Sequence, residues 1–96
     1  MIYSKKLYGI EYLSNKEQEE SNIYKLEYYK IKEEKYGIEI IQKYTNEKTE
    51  NREINGIEQN EEQIDNLLNM LKRNKVTLGE VEYILEDLNY NSIKMV

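Results

Sequence analysis

The first half of the chain alternates, and the second half repeats every three to four residues. Over 23–32, Tyr24, Leu26 and Tyr28 fall on one side of an extended run, and Ile23, Tyr29 and Ile31 on the other. Rings and β-branched side chains on both sides are strand material. A second run, 36–44, sets Tyr36, Ile38, Ile40 and Tyr44 on one side and Glu39 and Lys43 on the other, the period of a half-buried strand. A third, about 49–56, is polar except for Ile54 and reads as an edge. Turns are expected at Glu33-Glu34-Lys35, at 45–48 and at Asn55-Gly56. Gly37 marks a bulge or a close backbone contact. Ahead of these, Ile2, Tyr8, Ile10 and Tyr12 share even positions, which suits a fourth strand. The wholly polar stretch 15–22 reads as a loop with a mobile acidic tip.

After residue 58 the period changes. Ile64, Leu67, Leu68 and Leu71 form one helical stripe. Asn60 stands at the cap position, with Gln63 three residues on, as a capping box requires. Glu61, Glu62 and Asp65 suit the positive end of the helix dipole, and Lys72 and Arg73 the negative end. Asn74 is placed for a left-handed cap. The next helix starts by the same rules: Thr77 caps, Glu80 completes the box, and Val76 and Val81 form a staple. Its stripe is Leu78, Val81, Ile84, Leu85 and Leu88, and it should end near Asn89, leaving 90–96 as a tail. The expectation is a single α+β domain over 1–96. An antiparallel meander of three to four strands (1–58) is covered on one face by a helical hairpin (60–89).

Composition narrows the chemistry. The 96 residues carry 14 Lys and Arg against 19 Asp and Glu, a net charge of −5, with no Cys, His, Pro, Trp or Phe. Without Cys there is no disulfide, thiolate nucleophile or Cys-ligated metal. Without His the usual catalytic base and the commonest transition-metal ligand are missing. The four Ser have no imidazole to activate them, and the four Gly are too scattered for a phosphate loop. No EF-hand spacing occurs. The expectation is a non-enzyme with no cofactor and no metal.

Partners follow from charge. The second helix carries Glu80, Glu82, Glu86 and Asp87 and no Lys or Arg, so it is a poor reader of a DNA groove. An acidic chain is also a poor match for phosphate backbones or anionic membranes. No apolar run approaches the about 20 residues that span a bilayer. The N-terminus lacks the apolar core of a signal peptide, so a cytoplasmic setting is expected.

Tyr36-Gly37-Ile38-Glu39-Ile40, Asn60-Glu61-Glu62, Arg73-Asn74-Lys75-Val76-Thr77 and Leu85-Glu86-Asp87-Leu88 together resemble a family of small clostridial proteins of unknown function, over about 36–88. The Arg-Asn-Lys-Val-Thr junction is its most specific part. The pattern of that family has Pro after the Thr, where this chain has Leu78. The resemblance implies a bacterial setting and supports the fold; it transfers no catalytic residue.

All ten aromatic residues are Tyr. A small core cannot bury them all, and displayed Tyr is a common interface residue. Tyr24, Tyr28, Tyr29, Tyr36 and Tyr44 are therefore the candidate protein contacts. The functional expectation is a non-catalytic binding protein that uses a Tyr/Ile sheet face or edge, with a homodimer through the edge as one form. The alternative is a phage-type inhibitor of a bacterial defence system, anti-CRISPR-like, whose acidic surface mimics nucleic acid. That alternative requires carboxylates gathered on one surface.

Overall fold

Strands and helices form in the order the pattern predicts. The computed structural model describes residues 4–13, 22–88 and 90. Four strands come first, β1 (Ser4–Tyr12), β2 (Ile23–Lys32), β3 (Tyr36–Tyr44) and β4 (Thr49–Glu58), followed by α1 (Glu61–Arg73) and α2 (Leu78–Asp87). The strands make one antiparallel sheet in chain order, so β1 and β4 are its edges. The expected loop at 15–22 and the segment 91–96 lie outside the described residues, apart from Asn22.

One face of the sheet carries the core. Leu26, Tyr28, Ile38, Ile40 and Ile54 pack on Ile64, Leu67, Leu68, Leu71, Val76, Val81 and Leu85. The α1 stripe is the one the spacing predicts, and α1 lies across all four strands. In α2 only Val81 and Leu85 are buried; Leu88, expected in the stripe, is the C-cap residue and is about half exposed. Tyr90 returns to this layer, its N–H donating to the Leu85 carbonyl.

Gln42 is buried in phase with Ile38 and Ile40 and ties β3 to α2. Its Oε1 accepts from the N–H of Leu78, 3.0 Å away, at the first residue of α2, a donor that has no partner within its own helix. Its Nε2 donates to Tyr44 Oη at 2.7 Å.

The caps depart from the expected pattern in two places. Asn60 Oδ1 accepts from Gln63 N–H at 3.0 Å, but the N–H of Asn60 donates to Glu58, not to the Gln63 side chain. Glu80 does return to the N–H of Thr77, at 3.1 Å. The left-handed residue after α1 is Lys75, at φ 52°, not Asn74, at φ −94°. Lys75 N–H donates to the Lys72 carbonyl, and Val76 N–H to the Leu71 carbonyl, the two bonds of a Schellman motif. That motif puts its left-handed residue one place past the cap. A left-handed L-residue costs about 1–2 kcal/mol, so Lys75→Gly is expected to stabilise the fold by about 1 kcal/mol, read as a higher urea midpoint at unchanged slope.

Three bulges set which side chain faces which way. In β1 the register jumps between Leu7 and Gly9, so Tyr8 is the extra residue. Its hydroxyl donates to the Asp65 carbonyl in α1, on the helix side, while Ile10 and Tyr12 turn to the other face. The even-position grouping of Tyr8 with Ile10 and Tyr12 fails for this reason. A second bulge at Tyr24 shifts β2 against β3. In β4 the register slips between Ile54 and Glu58, opposite Gly37. Asn55-Gly56 is therefore a bulge inside a longer strand, not the expected turn, and Gly56 takes φ 62°. Gly37 sits against that bulge: a Cβ there would collide with the Ile54 carbonyl oxygen and lie 3.0 Å from Asn55 Cα.

Candidate docking surface

Both helices cover the same side of the sheet, and among the described residues no helix or further strand packs on the opposite side, where Ile31 is nonetheless fully buried. Registers and alternation lay it out as a grid. Across the strands from β1 to β4, one row is Leu7, Tyr29, Glu39, Glu53, and the next is Ile10, Glu27, Ile41, Asn51. The flanking rows are Lys5, Ile31, Gly37 and Tyr12, Lys25, Lys43, Thr49. Leu7 is 50% exposed and Tyr12 64%; Ile10, Tyr29 and Ile41 are half-buried.

Two carboxylates are nearly buried in the middle of this helix-free face. Glu27 retains 7% exposure and Glu39 3%. Glu27 lies 3.2 Å from Lys25 Nζ and 3.4 Å from Lys43 Nζ, and accepts from the Tyr29 hydroxyl at 2.9 Å. Lys25 and Lys43 are direct cross-strand partners, a like-charge pair that destabilises a sheet, and Glu27 beside them removes that repulsion. Glu39 lies 2.7 Å from Lys5 Nζ and accepts from Asn51 Nδ2 at 2.8 Å. Lys5 and Lys25 also lie over the Tyr29 and Tyr12 rings.

Burial pushes the Glu27 carboxyl up, but the Tyr29 hydrogen bond and the two ammonium groups outweigh it, so the group sits below its ordinary value of 4.5. Lys25 is raised by its hydrogen bond to Glu27. Tyr29 is raised by burial and then by the same carboxylate. Glu11, held by Lys72, Glu50, held by Tyr44 and Lys48, and Glu61, held by Lys30 and Tyr36, are also lowered.

These shifts give stability a sign at each end of the pH scale. Lowered carboxylates contribute stability that is complete above 4.5, the unfolded value, and is lost as pH falls through the folded values. Tyr28 is raised by burial from 10.0, and Lys25 and Lys30 are raised from 10.5. Their contribution is complete below those values and is lost as pH rises through the folded ones. With no His in the chain, chemical denaturation across pH is expected to show a plateau from about 5 to about 9, falling on both sides.

The chain matches one family model, described as a family of unknown function (DUF6514), over residues 8–90. The chain belongs to this family. No curated protein and no solved structure matches it. The family match spans β1 to Tyr90 and so takes in the whole grid except its Lys5 and Leu7 positions.

The five candidate Tyr do not share a surface. Tyr28 is fully buried under the helices, its hydroxyl donating to the Val76 carbonyl at 2.9 Å; it is a core residue, not an exposed contact. Tyr36 is on the same side and donates to Glu61. Tyr44 donates to Glu50 at 2.7 Å. Tyr24 is the bulge residue of β2, 38% exposed. Only Tyr29 stands within the grid, because adjacent strand residues point to opposite faces. Asn60, Gln63, Thr77 and Glu80 act as helix-end residues.

The residues missed by sequence reading are Leu7, Ile10, Glu27 and Ile41. Their signal was present for Glu27, which shares its parity with Lys25 and Tyr29 as Glu39 does with Lys43. Among the described residues no group of acids could hold a metal ion, and no helix is long and apolar enough to cross a membrane.

Proposed function

We propose that the protein is a non-catalytic docking module that binds another protein through the helix-free face of its sheet. The observation that carries this reading is the state of Glu27 and Glu39. Both are already nearly out of water and matched with cations on a face that neither α1 nor α2 covers. Covering a surface whose charges are paired and desolvated avoids most of the penalty of burying ions. Leu7, Ile10 and Ile41 beside them supply the apolar area. Both edge strands are bulged, a device that blunts edge-to-edge pairing, so the reading favours the face over the edge.

Acidic mimicry by a phage-type inhibitor draws less support. Carboxylates occur on all four strands and both helices, with Glu27, Glu39 and Glu53 on the face opposite Glu61, Glu62 and Glu86. Many are bound by cations of the same chain, as in Lys30 with Glu61 and Asp65, and Arg52 with Glu82. The bacterial setting, clostridial by its sequence resemblance, and a cytoplasmic location belong to the same proposal.

The test is a photo-crosslinking residue placed at Leu7 or, as control, at exposed Asn69 on α1, in cells that make the protein. The docking reading expects a discrete adduct from position 7 and none from position 69. The reverse pattern, or no adduct from position 7, overturns it.

A further inference from the structure

We infer that the occupant of the helix-free face is a second copy of this chain, turned by a two-fold axis that runs across the strands between the two central rows. The inference rests on the docking reading and adds the identity of the partner.

Charge comes first. The chain carries −5, so two copies repel wherever their surfaces share that excess. The grid does not share it. Lys5, Lys25 and Lys43 balance Glu27, Glu39 and Glu53, three against three. This neutral face is where two identical acidic molecules can meet without net repulsion.

Register supplies the orientation. Two sheets packed face to face keep their strand directions within about 30° of each other. An isologous contact then has its two-fold axis in the plane of the interface, along or across the strands. An axis along the strands sets Lys25 over Lys43, which opposes like charges. An axis across the strands exchanges the two central rows and the two flanking rows. Leu7 then lies over Ile10 of the other copy, Tyr29 over Glu27, Glu53 over Asn51, and Lys5 over Tyr12. No lysine faces a lysine and no glutamate faces a glutamate. Glu39 lies over Ile41 and Lys25 over Ile31, so what this axis provides is the absence of like-charge pairs, a condition a two-fold contact between identical copies has to meet.

Area sets the strength. Four strands about 4.8 Å apart and four rows about 6.8 Å apart cover about 19 by 27 Å, or about 500 Å² per copy in projection. The pair buries at most about 1,000 Å², the lower bound for a specific interface, since Ile31, Glu27 and Glu39 are already nearly out of water. A micromolar dimer with weak salt dependence is expected, since the contact carries no net charge.

Sedimentation equilibrium of the purified full chain, with three variants, tests this. The wild type is expected to dimerise in the micromolar range. Leu7→Lys and Ile10→Glu should each weaken the dimer at least tenfold, and the double variant Leu7→Lys/Ile10→Glu should regain most of the affinity, because each new lysine meets a new glutamate twice across the axis. Circular dichroism of each variant separates lost association from lost folding. If the double variant folds but stays monomeric, or Ile10→Glu dimerises like the wild type, the inference is wrong. A monomeric wild type whose Leu7 photo-adduct contains a different protein overturns the dimer and leaves the docking face standing; a monomer with no adduct overturns both.

Discussion

Gly37→Ala should lower stability by about 2–3 kcal/mol and the melting temperature by roughly 10–20 °C. The added Cβ points into backbone, at the Ile54 carbonyl and Asn55 Cα. Backbone cannot rotate aside as the end of a side chain can. The β3–β4 pairing at Ile38 and Ile54 must therefore shift, and both residues are in the buried core. Gly79→Ala is the matched control. The atom nearest a Cβ there is Thr77 Oγ1, at 4.0 Å, and the position lies in the first turn of α2. Alanine should be neutral or stabilise by up to about 1 kcal/mol. Thermal melts of the two variants should move in opposite directions or differ by most of the Gly37 effect.

Tyr28→Phe should cost about 1–3 kcal/mol, the loss for leaving a buried carbonyl unpaired. The hydroxyl it removes holds the Val76 carbonyl, at the junction of α1 and α2. Val76 is 2% exposed, so water cannot easily replace the lost partner. The neighbouring Tyr29→Phe should cost less than about 1 kcal/mol, because Glu27 keeps Lys25 and Lys43 when the Tyr29 hydroxyl is gone. Paired urea titrations measure both. The two rings are adjacent in sequence and on opposite faces, so one change reports on the core and the other on the docking surface. An equal effect at both positions would contradict that division.

Element type was legible in the chain because it depends on local spacing. The stripe Ile64, Leu67, Leu68 and Leu71 is buried as its period demands, and Tyr36, Ile38 and Ile40 face the helices as their alternation demands. Register was not legible. The bulges at Tyr8, at Tyr24 and at 55–57 depend on what the neighbouring strand and α1 present, and no short window contains that. Tyr8 follows the Asp65 carbonyl, 57 positions away. Among the candidate contacts Tyr28 is a core residue for a related reason: alternation separates it from Tyr29, but which side the helices cover depends on residues far along the chain. Gln42, in phase with the apolar residues of β3, was a polar residue in a core register, and its partner is Leu78, 36 positions on.

The most direct measurement of the docking account is a lysine-acylation footprint of the full chain, compared between dilute pure protein, pure protein well above the micromolar range, and an extract of the cells that make it. Lys25 and Lys43 lie on the helix-free face beside Glu27, while Lys35 and Lys48 are exposed in the hairpin turns. The account predicts that Lys25 and Lys43 react several-fold more slowly in the concentrated protein or in the extract than in the dilute protein, while Lys35 and Lys48 are unchanged. Equal reactivity of Lys25 and Lys43 in all three samples, with the protein folded in each, contradicts it.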